Sequence, residues 1–288
     1  MRCRKNSKEG DMSDDRNAPK PIRVLSLGAG VQSTTLLYMM MRGLIELPDH
    51  VIFADTGWEP KAVYEHLADL ERRMFTIGLP FHRVSVGNIR EDALDSSRRS
   101  ASMPLFMRNA EGKKGMVRRQ CTAHYKIEPL LYKQRDLVGL KAGQRSKEHL
   151  CTTIIGISFD ETQRMRDPAR PWLRNEYPLV DRRMTRQDCI DWCKAFGYPI
   201  PPRSACIGCP FKADNEWRRL RDESPDEWAD AVEFDYALRE ATAKRNKLNA
   251  VPYLHSSLVP LDQADLRTMS EKGQDSLFDQ ECEGMCGV

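Results

Sequence analysis

The chain has 288 residues, 40% of them hydrophobic, and 45 Lys and Arg against 42 Asp and Glu give a formal charge of +3. That length supports one sizeable domain, or a domain with an appendage, around a full core, and the charge is too small to establish a nucleic-acid partner. No apolar run reaches the length that crosses a membrane and the N-terminus lacks the apolar block of a secretory signal, so the expectation is a cytoplasmic protein with no membrane partner.

Residues 1–21 are polar and aperiodic, and they read as a disordered leader or an over-extended start. From residue 22 the pattern is α/β. The segment 22–37, Ile-Arg-Val-Leu-Ser-Leu-Gly-Ala-Gly-Val-Gln-Ser-Thr-Thr-Leu-Leu, predicts a buried strand, a turn of small residues and a helix. Such a turn is where a nucleotide phosphate docks. Gly28, Ala29 and Gly30 let backbone N–H groups approach an anion, Ser33 and Thr34 offer hydroxyls, and the helix dipole favours negative charge. The spacing is neither Walker A nor the dinucleotide fingerprint, and tight strand-to-helix packing is the competing explanation.

A second strand, 51–55, ends in Asp55-Thr56-Gly57, with a helix expected from about Glu59. In an open parallel sheet the two strand ends share one crevice, which puts Asp55 where a ribose or adenine is held. A helix cap or Asx-turn is the alternative for the same three residues. Residues 81–86 predict a third strand and 153–157 a fourth, with Gly156 at its end. Between them, 90–115 is a long polar stretch rich in Arg and Lys. It reads as a mobile lid over an anionic ligand, and the basic run 98–119 is where a nucleic acid would bind. After the fourth strand come Asp160, Glu161 and Arg164, which the crevice rule places near the same nucleotide.

The nine cysteines are too irregularly spaced for a disulfide framework. Cys206 and Cys209 have the C-x-x-C spacing that lets two thiolates face one metal or cluster, with Gly208 relieving the turn. Cys121, at a loop-to-helix junction beside Arg118 and Arg119, is their best distant partner. Cys189 and Cys193 share one face of a helix over 186–196 and read as core residues; Cys151 reads as buried. Helical periodicity over 215–220 and 226–248 predicts a helical appendage, residues 212–275, anchored by Trp217 and Trp228. The tail, 276–288, is expected to be mobile, with Cys282 and Cys286 able to carry a thiol into a site.

The ordered set of Ser-Leu-Gly-Ala-Gly-Val-Gln-Ser, Ala-Asp-Thr-Gly-Trp, Arg-Gln-Cys-Thr-Ala-His-Tyr-Lys-Ile-Glu-Pro, Gly-Ile-Ser-Phe-Asp-Glu-Thr-Gln-Arg and Cys-Ile-Gly-Cys-Pro resembles the phosphoadenosine phosphosulfate (PAPS) reductase family. That family belongs to the PP-loop, adenine nucleotide alpha hydrolase-like superfamily, and the resemblance spans most of 22–211. It implies an open, mostly parallel sheet flanked by helices. By resemblance, residues 28–33 are the phosphate loop, with Gly28, Ala29, Gly30, Gln32 and Ser33 and the preceding Ser26 binding the nucleotide, and Asp55, Thr56 and Gly57 face the adenosine. Arg119 and Lys126 bind phosphate or sulfate oxygens; Gly156, Glu161 and Arg164 complete the site. Cys121, Cys206 and Cys209 stand as ligands of a [4Fe-4S] cluster; Thr122 occupies the place of a second adjacent cysteine, so a fourth ligand has to come from the tail, as Cys286, from another residue or from an exogenous atom.

The resemblance also implies chemistry. Glu281-Cys282 matches the start of the reductase tail whose cysteine attacks sulfur, while Glu283-Gly-Met-Cys286-Gly departs from it. The first reading is therefore reduction of PAPS or adenosine phosphosulfate (APS) to sulfite, with Cys282 as nucleophile and a thioredoxin-like thiol as electron donor. The alternative is an ATP pyrophosphatase-type sulfurtransferase using Mg²⁺ and a sulfur donor to thiolate tRNA, DNA or a small molecule. A nucleotide-binding subunit without catalysis is the third. Gln32, where ATP pyrophosphatases carry Asp, favours the first, whereas the altered tail and the long basic insertion favour sulfur transfer to a polyanion.

Overall fold

The computed structural model describes residues 20–98, 102–245, 250–267 and Glu271. A five-stranded parallel sheet runs in the order β3-β2-β1-β6-β7, formed by β1 (Ile22–Ser26), β2 (His50–Asp55), β3 (Phe81–Ser85), β6 (Cys151–Ile155) and β7 (Leu173–Glu176). The α/β fold expected from the sequence is the fold observed. β6, Cys-Thr-Thr-Ile-Ile, is buried at every position, as a β-branched run covered on both faces must be. It starts two residues before the expected strand, because Cys151 and Thr152 pair with Ile22 and Arg23 of β1.

Helices cover both faces. On one side α1 (Val31–Met41), α2 (Lys61–Thr76) and α6 (Arg186–Ala195) pack on Leu25, Val51, Phe53 and Ile154. α1 is apolar nearly all round and buried along most of its length, the signature of a central helix. Cys189 and Cys193 are fully buried against it, with Thr35 Oγ1 3.3 Å from Cys193 Sγ. Burial pushes the Cys189 thiol up to about 12, so both behave as the core residues expected. On the other face α4 (Glu128–Leu137) lays Leu130, Leu131 and Leu137 over Val24, Ile52, Cys151 and Trp172. α2 begins at Lys61, two residues later than expected, because Pro60 holds the extended N-cap.

The stretch expected as one polar loop is organised instead. It contains α3 (Ile89–Leu94) and the hairpin β4 (Phe106–Asn109) and β5 (Lys114–Met116), and β4 pairs antiparallel with β8 (Ala250–Tyr253). Met103, Leu105 and Met107 are buried, and burying side chains of this size is worth roughly 1.5–3 kcal/mol each. They join a second core with Trp58, Trp217, Phe234 and Leu238, to which α7 (Asp214–Glu223) and α8 (Pro225–Arg245) contribute. Residues on both sides of 211 build that core. Trp217 and Trp228 meet edge to face at 6.4 Å, anchoring the helices as expected. Among the described residues no helix is long and apolar enough to cross a membrane. The leader through residue 19, Arg99 and the tail with Cys282 and Cys286 lie outside the described residues.

Candidate functional site

The sheet order reverses between β1 and β6, and a crevice opens beyond the carboxyl ends of these strands, where doubly wound folds bind ligands. One wall is the turn between β1 and α1. Ala29 holds a left-handed conformation (φ 54°), Gly30 is the N-cap of α1, and no side chain caps that helix end. Ser33 Oγ accepts from the Gly28 N–H at 3.1 Å and donates to the Gly30 carbonyl at 3.4 Å, closing the turn on itself. The first-turn N–H groups of α1 therefore point into the crevice with a positive helix end behind them. Thr34 differs from expectation. It is fully buried, and its hydroxyl meets His66 Nε2 of α2 at 3.2 Å.

The other walls are basic. Lys126 comes from a π-helical turn (Ala123–Ile127) that runs into α4; Arg164 comes from a 3₁₀ turn (Phe159–Arg164); Arg186 opens α6, and Arg203 and Ser204 precede the C-x-x-C. Glu161 is the one carboxylate among these lining groups, paired with Arg164 at 2.7 Å. Gln32 spans the gap, donating to Glu161 Oε2 at 3.2 Å and accepting from Arg186 at 3.1 Å. An amide satisfies both neighbours at once, whereas a carboxylate at 32 would confront Glu161. Gly156 sits at the floor: a Cβ there would lie 2.7 Å from the Ser33 nitrogen, so only glycine lets β6 approach the turn this closely. Ser204 Oγ is buried with no hydrogen-bond partner among the described residues, an orphaned group at the crevice wall.

Asp55 takes the alternative role weighed for it. Its Oδ1 accepts from the Gly57 N–H at 2.8 Å, an Asx-turn, and from Tyr64 OH at 2.9 Å; its Oδ2 accepts from Arg83 at 2.9 and 2.5 Å. These four bonds occupy the carboxylate, and Phe53 and Ala54, not Asp55, line the crevice. Burial, with Asp55 beside it, pushes the Tyr64 phenol up to about 12, so it stays a donor. Gly57 turns the chain with φ 75° beneath Asn88. Thr56 faces a different hollow. Asp160, also expected at the nucleotide, is exposed and accepts from the Arg186 backbone N–H at 3.2 Å.

That second hollow brings together Cys121, Cys206 and Cys209 with Thr56, Arg119, Thr122 and Lys126. Arg119 donates to Thr122 Oγ1 and lies over the Phe211 ring. Beneath the thiols is Glu59, whose side chain is wholly buried: Oε1 accepts from Thr56 Oγ1 at 3.1 Å and lies 3.6 Å from Lys126 Nζ and 3.9 Å from Cys206 Sγ, while Oε2 has no partner among the described residues. Gly208 does not relieve the turn through a left-handed conformation. It makes room for Trp58, whose ring would lie 2.2 Å from an added Cβ. Three soft thiol donors on one hollow suit an iron–sulfur cluster by type and stand one short of the four thiolates such a cluster takes. Among the described residues, however, no three Cys, His, Asp or Glu converge closely enough for a single metal ion.

The structure thus gathers Ser26, Gly28, Gly30, Gln32, Ser33, Lys126, Gly156, Glu161 and Arg164 around one crevice, and Thr56, Arg119, Cys121, Cys206 and Cys209 around its neighbour; Lys126 lines both. Sequence reasoning missed Arg186, Arg203, Ser204 and Glu59. Glu59 alone carried a signal, as a carboxylate four residues beyond the strand-end Asp55. Compared with known proteins, the chain matches no family model and no curated protein.

Proposed function

We propose that the crevice binds an adenine nucleotide bearing an activated sulfate, PAPS or APS, and that the protein reduces it to sulfite through cysteine chemistry. The observation that supports this reading most is the junction at Lys126: an uncapped helix N-terminus ringed by cations opens onto a hollow lined by three cysteines. The phosphosulfate would lie at the N-terminus of α1 within reach of Lys126, Arg164, Arg186 and Arg203, and the adenosine would extend toward Phe53 and Ala54. A thiolate, Cys282 by resemblance, attacks the sulfur; the sulfur–oxygen bond to phosphate breaks, and the nucleotide leaves carrying the electron pair on its phosphate. Lys126 and the guanidiniums offset the charge developing there. A thiolate of a thioredoxin-like dithiol donor then attacks Cys282 Sγ, breaking its bond to the sulfonate so that sulfite leaves with the electron pair and a mixed disulfide forms, and the donor's second thiol resolves that disulfide and frees Cys282. A [4Fe-4S] cluster would be held by Cys121, Cys206, Cys209 and Cys286 and would supply an electron-transfer group there; with four thiolates its net charge is negative, so Lys126, which lines both hollows, would offset it beside the sulfate. Gln32 fits this reading, since its amide is held between Glu161 and Arg186 rather than presented to a magnesium ion.

ATP-dependent sulfur transfer is the second reading, favoured by the buried Glu161 in the crevice, a carboxylate for Mg²⁺, and by thiols one hollow away. Offering labelled PAPS and ATP separately to anaerobically purified protein separates the two. Thiol-dependent sulfite release is expected, falling about 100-fold or more in Lys126→Ala and vanishing in Cys282→Ser. Pyrophosphate release without sulfite would replace the first reading by the second; neither product, with nucleotide still bound, would leave a binding subunit.

A further inference from the structure

Beyond these two hollows lies a third, larger one. It encloses about 540 Å³, against about 110 Å³ for the crevice, within the usual range for small-molecule sites of roughly 300–1,000 Å³. It shares Ile127, Leu130, Ile155 and Arg164 with the crevice and Arg119 with the cysteine hollow, while Leu131, Gln134, Thr153, Ile157, Leu173 and the rim from Arg166 to Arg170 line it alone. Nothing in the reaction proposed above uses it.

Its two halves differ in chemistry. The inner half is apolar: Ile155 and Ile157 at the end of β6 form a floor, and Leu130 and Leu131 of α4 form a wall. The outer half is basic, because Arg166 and Arg170 join Arg119 and Arg164 around the opening, with Asp167 as the sole lining carboxylate. This rim is built rather than loose. Tyr177 OH accepts from the Arg166 N–H at 3.1 Å and donates to the Arg166 carbonyl at 2.8 Å, and the Asn175 amide donates to the same carbonyl at 2.9 Å. At the inner end Gln134, 1% exposed, commits its amide nitrogen to Thr153 Oγ1 at 2.6 Å. Its carbonyl oxygen is left as the acceptor at the end of the cavity.

We infer that this cavity is a second ligand site, for a nucleoside monophosphate unit separate from the nucleotide in the crevice. The phosphate sits on the Arg170 guanidinium and on the N–H groups of Arg166 left over by Nη1, which is held by the Gln163 and Met165 carbonyls at 2.8 and 2.7 Å. The base lies against Leu130, Leu131 and Ile157 and directs an amino group to Gln134. A bare oxyanion leaves the apolar wall wetted, a neutral apolar molecule leaves the guanidiniums uncompensated, and an aliphatic phosphate has no donor for Gln134. The same unit occurs free in solution or as one residue of a nucleic acid strand. The inference does not rest on the reaction assigned to the crevice.

Equilibrium dialysis with labelled AMP and, separately, with a five-residue oligoadenylate tests it on the full chain. Gly30→Asp places a carboxylate in the crevice, and the paired substitution Arg166→Ala with Arg170→Ala strips the rim of the cavity. AMP binding is expected to persist in Gly30→Asp and to weaken at least tenfold in the rim variant. Ala169→Trp, which fills the opening from an exposed position, is expected to have the same effect as the rim variant with an unchanged melting temperature. Tenfold preference for AMP identifies the free nucleotide, and tenfold preference for the oligoadenylate identifies a strand. AMP binding that vanishes in Gly30→Asp and ignores the rim would overturn the inference, as would inorganic phosphate competing as well as AMP. Loss of sulfite release with AMP binding intact would instead count against the crevice reaction alone.

Discussion

Gly30 and Gly156 flank the same crevice for opposite reasons. A Cβ on Gly156 meets the Ser33 backbone at 2.7 Å, so that glycine is a requirement of packing. Gly30 has φ −96° and ψ −178°, backbone that any residue adopts, and a Cβ there reaches Ser204 Cβ only at 3.6 Å. Sterics do not demand a glycine at 30; an uncovered helix N-terminus does. Asp is among the best N-caps, so Gly30→Asp is expected to leave stability unchanged or raise it by a few tenths of a kcal/mol. The same carboxylate would occupy the N–H groups of α1 and repel an incoming phosphate, so nucleotide affinity is expected to fall more than tenfold. Titration calorimetry beside urea unfolding reads both signs. Loss of stability with affinity intact would show that the turn exists for packing.

At the scale of elements, the cysteine hollow depends on α8. Trp58 donates its Nε1–H to Asp230 Oδ2 at 2.6 Å, Arg90 donates to Asp230 Oδ1 at 2.7 Å, and the Trp58 ring packs on Phe234 and over Gly208. Asp230→Ala leaves the buried indole N–H without its acceptor and is expected to cost about 1–3 kcal/mol. Cys206 and Cys209 should then alkylate faster in the native protein, measured by peptide mass spectrometry beside the urea midpoint. An unchanged midpoint would contradict that account of the docking. The five strands of the main sheet show how unevenly sequence carries such information. β1, β2 and β6 were legible as largely apolar runs ending in turn residues, β3 was legible from Phe81, Val84 and Val86 ahead of Gly87, and the crevice rule then placed Glu161 and Arg164. β7, β4 and β8 were not legible, being four residues each, with two or more polar positions in Leu173–Glu176 and Phe106–Asn109 and a proline inside Ala250–Tyr253. Arg186, Arg203 and Ser204 reach the site only because α6 and the segment before Cys206 pack back onto α1, a convergence that no local pattern records. Asp55 was legible as a turn residue, and its four hydrogen bonds carry that half of the expectation.

For the whole molecule, titration of buried groups sets a window of maximal stability. Burial holds His66, His82 and His149 below their ordinary value of 6.5, so below that pH the unfolded chain takes up protons that the folded one resists. Stability from these groups is fully present above pH 6.5 and is lost as pH falls. Asp69 and Asp188, held below 3.8 by hydrogen bonds from Arg73 and from Thr185, add to the loss only at lower pH. The alkaline side has the opposite sign. Burial raises Cys151 and Cys189 to about 12 and also raises Cys193, all from 9.0, so their contribution is complete below pH 9 and is lost above it, as the unfolded thiols ionise first. Tyr38, pushed by burial from 10.0 to about 12, extends the decline. The urea midpoint is therefore expected to be flat between about pH 6.5 and 9 and to fall on both sides. His66→Asn, which removes the histidine packed against Thr34, should flatten the limb between pH 6.5 and 5 without moving the alkaline limb. An acid limb that begins only below pH 4.5, or one that His66→Asn leaves unchanged, would place the titrating groups elsewhere and sever the proposed link between the α1–α2 interface and acid stability.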